Sequence, residues 1–447
     1  MTPAPTAQRS AWPVWLCWLA MVLDGFDLVV LGTVIPTLLK TGDLGFTPVG
    51  ATLAATISLV GVGVGALFIA PLSDRFGRRR LLIACVAWFS VFTLAIVIAP
   101  NVAVFSLFRF LAGAGLGACL PAALAYMNDY APAGSGAKAT TRTMTGYHVG
   151  AVATAFLALI LIPDWRMMFA IGGVAGFVLL PFLWFKLPES LPRAAQAAPA
   201  QAAPAQAAPA QEAPTQAAPA RTQAAPAVGA HAAGDSPSSP ATAGVPARLG
   251  YRALLEKPYP LVAVGIAIAS FMGLLLVYGL NTWLPTLMAS AGYSLSSSLT
   301  LLLVLNVGAV AGLFVAGWLA DRHGAKRIVL LWFGISAVLL AALSIRMQNE
   351  LLLNAAVFVT GVFVFSAQVL VYAWVSQLFP ARLRGTALGF SAGVGRVGAI
   401  LGPAVTGTLV TLGIAYPWGF YVFAGAAVLA VLALVAVPHV VPGRKDL

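Results

Sequence analysis

Twelve apolar runs, each close to the roughly 20 residues that carry one helix across a bilayer, decide what this chain can fold into. They fall near residues 12–39, 50–71, 81–99, 102–123, 142–162, 167–187, 260–288, 298–319, 328–346, 351–376, 386–411 and 416–437. With 60% of residues apolar and 9% charged, an ordinary soluble domain, about 25% charged, is excluded. The expected fold class is an all-α membrane protein with twelve transmembrane helices in two six-helix halves. Cys17, Cys85 and Cys119 show neither paired nor metal-binding spacing and read as packing residues. Residues 1–11 are a short polar lead without the apolar core and cleavage site of a signal peptide, so the first run is expected to remain as a span.

The net charge of +12 reflects topology rather than nucleic-acid binding, because the basic residues sit between spans. Twenty of the 25 Lys and Arg lie on the side that holds both chain ends. Lys40, Arg166 and Arg346 lie on the other side, and Arg109 and Arg396 lie within spans. This asymmetry predicts cytoplasmic N- and C-termini in a multi-pass protein of the cell membrane. Residues 188–257 interrupt the pattern with a Gln-Ala-Ala-Pro-Ala repeat between Gln196 and Ala220. Proline every five residues blocks regular structure and bulky apolar surface is scarce, so a disordered tether is expected between halves 1–187 and 258–447.

Asp24 and Asp27 lie inside the first apolar run, where a central Asp costs roughly 2.5 to 3.5 kcal/mol. A spacing of three puts both on one helix face, turned toward a polar cavity, and Gly25 leaves room for a close neighbour. The pair reads as a proton or substrate site; the plainer alternative is a polar contact locking helix 1 into its bundle. Counting about 1.5 Å per residue, Asp27 lies about 20 Å from the cytoplasmic face and Arg109 about 10 Å from the other, so the two are level. Arg109 is thus a partner for Asp27, holding it ionised until a proton displaces the pairing. Asp24, nearer the midplane, is the better proton carrier if it has no cation; either acid fits either role. Arg396, about 15 Å deep, must be paired or await an anion, and its fork fits a carboxylate. It reads as the substrate anchor or as a permanent salt bridge to Asp24 or Asp27. Phe26, Tyr147, Tyr278, Trp283, Tyr372 and Trp374 are the candidate apolar walls for a ring. Asn281, Asn306 and Gln368 fit interhelical hydrogen bonds as readily as substrate contacts. His148 fits proton relay, helix packing or gating.

Asp74-Arg75-Phe76-Gly77-Arg78-Arg79-Arg80 follows the second run, and Asp321-Arg322-His323-Gly324-Ala325-Lys326-Arg327 follows the eighth. The same turn at the same place in each half marks an internal duplication. It reads as a cytoplasmic latch in which Asp pairs with Arg or accepts backbone N–H groups. A third echo joins Tyr130-Ala131-Pro132 to the more basic Leu378-Phe379-Pro380-Ala381-Arg382-Leu383-Arg384-Gly385, with Arg384 at the cytoplasmic mouth as a topology or gate residue.

These two turns resemble the loop signature of the major facilitator superfamily, although Ala70 stands where the first copy usually has Gly, which bears on packing of helix 2. Arg109 with Gly113, Gly115 and Gly117 resembles that superfamily's helix 4. The Asp-Gly-Phe-Asp run 24–27, Gly-Thr-Ala-Leu-Gly at 385–389 and Gly-Val-Gly-Arg-Val-Gly-Ala-Ile at 393–400 resemble its aromatic acid:proton symporter family. The likeness covers nearly all the chain except the insert. It implies uptake of an aromatic carboxylate, such as a benzoate or hydroxybenzoate, together with protons by alternating access. The partners expected are that acid, protons and the bilayer, with no cofactor, no metal, no nucleic acid and a monomeric state. A proton antiporter exporting drugs or aromatic compounds, and a membrane sensor without net flux, are the rival readings. A membrane enzyme is disfavoured: His148 is the one histidine within a span and no Cys/His ligand spacing exists. No G-x-x-x-x-G-K-[ST] loop supports ATP-driven pumping.

Overall fold

In hydrocarbon a backbone amide has no water to bond, so each apolar run must close its own hydrogen bonds as a helix. The computed structural model of the chain describes residues 12–130, 136–188, 254, 259–379 and 381–438, and every regular element among them is helical. The helices are α1 (Trp12–Thr41), α2 (Pro48–Val64), α3 (Arg78–Ala95), α4 (Val102–Tyr130), α5 (Gly136–Leu161) and α6 (Trp165–Lys186). After the insert come α7 (Pro260–Ser290), α8 (Leu295–His323), α9 (Ala325–Ala342), α10 (Glu350–Leu378), α11 (Ala381–Thr411) and α12 (Ala415–Val435). All twelve expected runs are therefore helices. Several extend past their apolar stretch because a polar cap satisfies free N–H groups: Thr47 accepts from Gly50 N, and Asn349 from Leu351 and Leu352 N. Among the described residues eleven helices have membrane length and apolarity, and α5 has a shorter apolar stretch, Thr145–Leu161. Apart from Pro188 and Leu254, the predicted tether 188–257 lies outside the described residues.

Glycine sets the packing, because it lets helix backbones touch. A Cβ at Gly25 of α1 would lie 1.9 Å from the Tyr147 carbonyl oxygen of α5, and one at Gly150 would lie 2.0 Å from that of Val22. The same pairing recurs six helices later, where Gly398 of α11 meets the Phe271 carbonyl of α7 at 2.0 Å. Likewise Gly61 and Gly117 join α2 to α4 (2.2 and 1.9 Å), as Gly308 and Gly361 join α8 to α10 (2.2 and 2.1 Å). The duplication seen in the turns thus extends to the helix contacts. Gly113, at 2.3 Å from the Ser58 carbonyl, belongs to the same α2–α4 seam.

The two basic turns share one backbone shape. Gly77 (φ 90°, ψ 141°) and Gly324 (φ 89°, ψ 133°) occupy a region closed to residues with a Cβ. The approaches differ: α8 runs unbroken to His323, whereas α2 passes through a π turn at Gly65–Ile69 and a 3₁₀ turn at Ala70–Leu72. Pro71 has no N–H to give the helix, and Trp318 stands at that place in the second copy, so Pro71 accounts for the irregularity more than Ala70 does.

On the face opposite the basic turns, Asp43 accepts hydrogen bonds from Trp165 Nε1 (2.8 Å) and Arg166 Nη1 (3.2 Å), and Arg166 Nε bonds the Val97 carbonyl (3.2 Å). The Trp165 indole first, then Arg166, hold the Asp43 carboxyl below its usual range. Arg346 lies 5.9 Å from the Tyr293 ring centroid on that face. Both arginines that depart from the charge asymmetry thus have local partners. The two sets of six helices also meet in this half of the bilayer. A Cβ at Gly32 of α1 would lie 2.1 Å from the Asn281 carbonyl of α7, and one at Gly407 of α11 would lie 2.2 Å from Thr52 Oγ1 of α2.

Candidate functional site

The two aspartates of α1 lie in different settings. Arg109 Nη1 donates to Asp27 Oδ2 at 2.7 Å, and its Nη2 donates to the Asp27 backbone carbonyl at 3.1 Å. Thr93 Oγ1 donates to the other carboxylate oxygen at 3.0 Å. Asp27 and Arg109 are 2% and 1% exposed, so this is a sealed ion pair with both acid oxygens satisfied. The Arg109 guanidinium also lies 5.9 Å from the Phe169 ring centroid. Asp24, only 3% exposed, makes no hydrogen bond or ion pair among the described residues.

Arg396 of α11 is bonded to neither acid; its Nη1 donates to Tyr278 Oη of α7 at 3.2 Å. Asp24, Tyr147 and Tyr372 also lie within electrostatic reach of its guanidinium. Arg396 and the three tyrosines each keep part of their surface accessible, unlike the sealed pair. One acid, one fork-shaped cation and three phenols from α1, α5, α7, α10 and α11 are thereby gathered where the two helix sets face each other. Tyr147, Tyr278 and Arg109 line a cavity of about 10 Å³ with Ser58, Asn281 and Thr282. That is room for about one water.

Other predicted residues are placed differently. Phe26 sits against Gly172 of α6, whose Cβ would lie 2.7 Å from the ring, so it packs inside the first helix set. Trp283 is fully buried and donates Nε1 to the Pro403 carbonyl at 2.9 Å, joining α7 to α11. Trp374, 3% exposed, lies under Lys326 near the basic face, with Nζ 6.0 Å from its ring centroid. These three rings are occupied by packing and do not join the group around Arg396. Asn281 accepts from Asn306 Nδ2 at 3.1 Å, an interhelical bond between α7 and α8. Nδ1 of His148 is buried without a hydrogen-bond partner among the described residues, and the buried Gln368 amide lies beside the Tyr372 hydroxyl.

In the basic turns, Arg78 Nη1 bonds the Ala125 carbonyl at 3.1 Å, Arg79 bonds that of Trp184, and the Arg75 guanidinium lies 5.5 Å from the Phe76 ring. The Arg322 guanidinium turns 4.1 Å from the Trp318 ring, and Asp321 makes no ion pair or hydrogen bond among the described residues. The expected Asp–Arg latch therefore does not form in the second copy, where an aromatic face takes the arginine instead. The side chains of Asp74 and Arg384 lie outside the described residues. Sequence reasoning missed Thr93. A depth count could have found it, since 15 residues from the start of α3 is about 22 Å, level with Asp27.

A family model described as Major Facilitator Superfamily matches residues 17–315 and 300–446. The chain belongs to that superfamily. As a member it is a multi-pass membrane transporter and not an enzyme. It is 34% identical to a gentisate transporter of Corynebacterium glutamicum, over 93% of this chain and 85% of that one. It is 32% identical to a benzoate transport protein of Acinetobacter baylyi, over 94% and 87%. Among solved structures, a D-xylose-proton symporter aligns with a TM-score of 0.70 at 16% identity, over 94% of this chain and 96% of that one. That likeness concerns the fold alone.

Proposed function

We propose that this superfamily member is a secondary active symporter that takes up an aromatic carboxylate with protons, its termini in the cytoplasm. The observation that carries the reading is the pairing pattern among the described residues: Asp27 is closed on Arg109, while Asp24 is buried without a bonded partner and within electrostatic reach of Arg396, whose hydrogen bond goes to Tyr278. In this reading Arg396 binds the substrate carboxylate with its two-pronged fork, and Tyr147, Tyr278 and Tyr372 form the ring's walls and bond its polar edge. Asp24 takes the proton. While ionised it neutralises Arg396 and competes with the substrate anion; once protonated it frees the guanidinium, so neither charge is left buried alone. Asp27 and Arg109 keep α1 and α4 in register beneath the site. The names of the relatives support an aromatic acid as cargo. The excess of Lys and Arg on the side of the chain ends supports the orientation.

The helix sets touch in the half of the bilayer away from the basic turns, and alternating access requires that contact to part so that the site opens to the other side. The test is uptake of labelled gentisate, benzoate, 4-hydroxybenzoate and protocatechuate into proteoliposomes under an inward proton gradient. Accumulation that collapses with an uncoupler is expected. No accumulation of any ring acid under the gradient would reject the reading.

A further inference from the structure

The apolar surface of α9 carries two recesses in line. At its basic end, His323, Lys326, Arg327, Trp374 and Gln377 surround an open recess of about 330 Å³. Lys326 is turned to the Val437 carbonyl, but Arg327 is exposed and makes no hydrogen bond or ion pair among the described residues. Among the described residues no carboxylate lines the recess. Further along the helix, Leu330, Leu331, Gly334, Ile335, Val338 and Leu339 line a shallow, open apolar groove.

Arg327, Leu331, Gly334 and Val338 are spaced by four, three and four residues, so basic recess and apolar groove share one helix face. Leu331 and Val338 are 50% and 69% exposed, and a Cβ at Gly334 would meet nothing within 4 Å, which makes a notch in that face. From Leu330 to Leu339 the helix rises about 14 Å, close to one leaflet of a hydrocarbon core about 30 Å thick.

We propose that this face of α9 is a binding site for an anionic phospholipid, with the phosphate-bearing headgroup in the His323–Arg327 recess and an acyl chain in the groove notched at Gly334. Charge selects the occupant: a net-negative headgroup meets cations, whereas an ammonium headgroup finds no acid among the described residues of the recess. The aligned groove distinguishes a lipid from a free phosphate, which has no chain to fill it.

Native mass spectrometry of the full chain in neutral detergent tests this, titrating phosphatidylglycerol against phosphatidylethanolamine of identical chains, with glycerol 3-phosphate as soluble competitor. Phosphatidylglycerol is expected to bind at about fivefold lower concentration, a difference of about 1 kcal/mol. Arg327→Gln removes that preference and Arg327→Lys retains it, while Gly334→Leu weakens both lipids; unchanged melting of each lipid-free variant confirms its fold. Equal binding of the two lipids, or a preference surviving Arg327→Gln, would overturn the proposal. So would displacement by glycerol 3-phosphate at lipid-like concentrations, which would mark a free-phosphate site.

Discussion

Two aspartates one helical turn apart differ in what their loss should do. Asp27→Asn leaves Arg109 buried with its charge uncompensated, which costs about 3–5 kcal/mol when one partner of a sealed pair is removed. Asp24→Asn breaks no contact. The expected outcome is a marked fall in the melting temperature of Asp27→Asn in detergent. Asp24→Asn should melt within about 1 kcal/mol of the parent and yet lose gradient-driven accumulation. Equal stability losses would contradict the pairing described above. A count of helical rise was enough to pair Asp27 with Arg109, because depth is a one-dimensional property of a span. It could not separate Tyr147 and Tyr278 from Phe26 and Trp283, because that depends on which way each helix turns its faces. Most of the helices are apolar almost all round, so periodicity carries little of that information.

The elements were legible to the extent that hydropathy reports them: each of the twelve apolar runs is a helix, and the repeated Asp-Arg-x-Gly turn announced the duplication. The contacts between elements were not, since they reside in single glycines whose partners are distant in sequence. Gly25→Ala would place a methyl 1.9 Å from the Tyr147 carbonyl, so α1 and α5 must separate, whereas Gly425 of α12 faces open space. Expression and melting should therefore fall sharply for Gly25→Ala and be unchanged or improved for Gly425→Ala. The Asp43 cluster ties the α1–α2 loop to α6, and its carboxyl is held below the usual range by Trp165 and Arg166. A depressed folded value means stability that is present above the unfolded value of about 3.9 and is lost as pH falls through the folded value. Asp43→Asn should lower melting at pH 7 by less than about 1 kcal/mol, because both charges are partly exposed, and the difference should shrink below about pH 4.

At the scale of the whole molecule, the two helix sets touch in the half of the bilayer away from the basic turns, and transport by alternating access requires that contact to break. Gly407 and Thr52 offer a direct handle. A Cβ at Gly407 would lie 2.8 Å from Thr52 Cβ, against about 3.5–4.5 Å across a disulfide, so a small parting admits the bond. The three native cysteines are buried and unpaired, so the introduced pair is the one placed within bonding reach. Thr52→Cys with Gly407→Cys should transport when reduced, lose transport on oxidation and regain it with reductant, while each single variant ignores oxidant. Gly407→Cys alone carries the cost of its crowded site, so reversibility within the double variant is the decisive comparison. Full transport with the disulfide formed would mean that this contact persists through the cycle. The helix sets would then have to exchange access by a movement that leaves α2 and α11 joined.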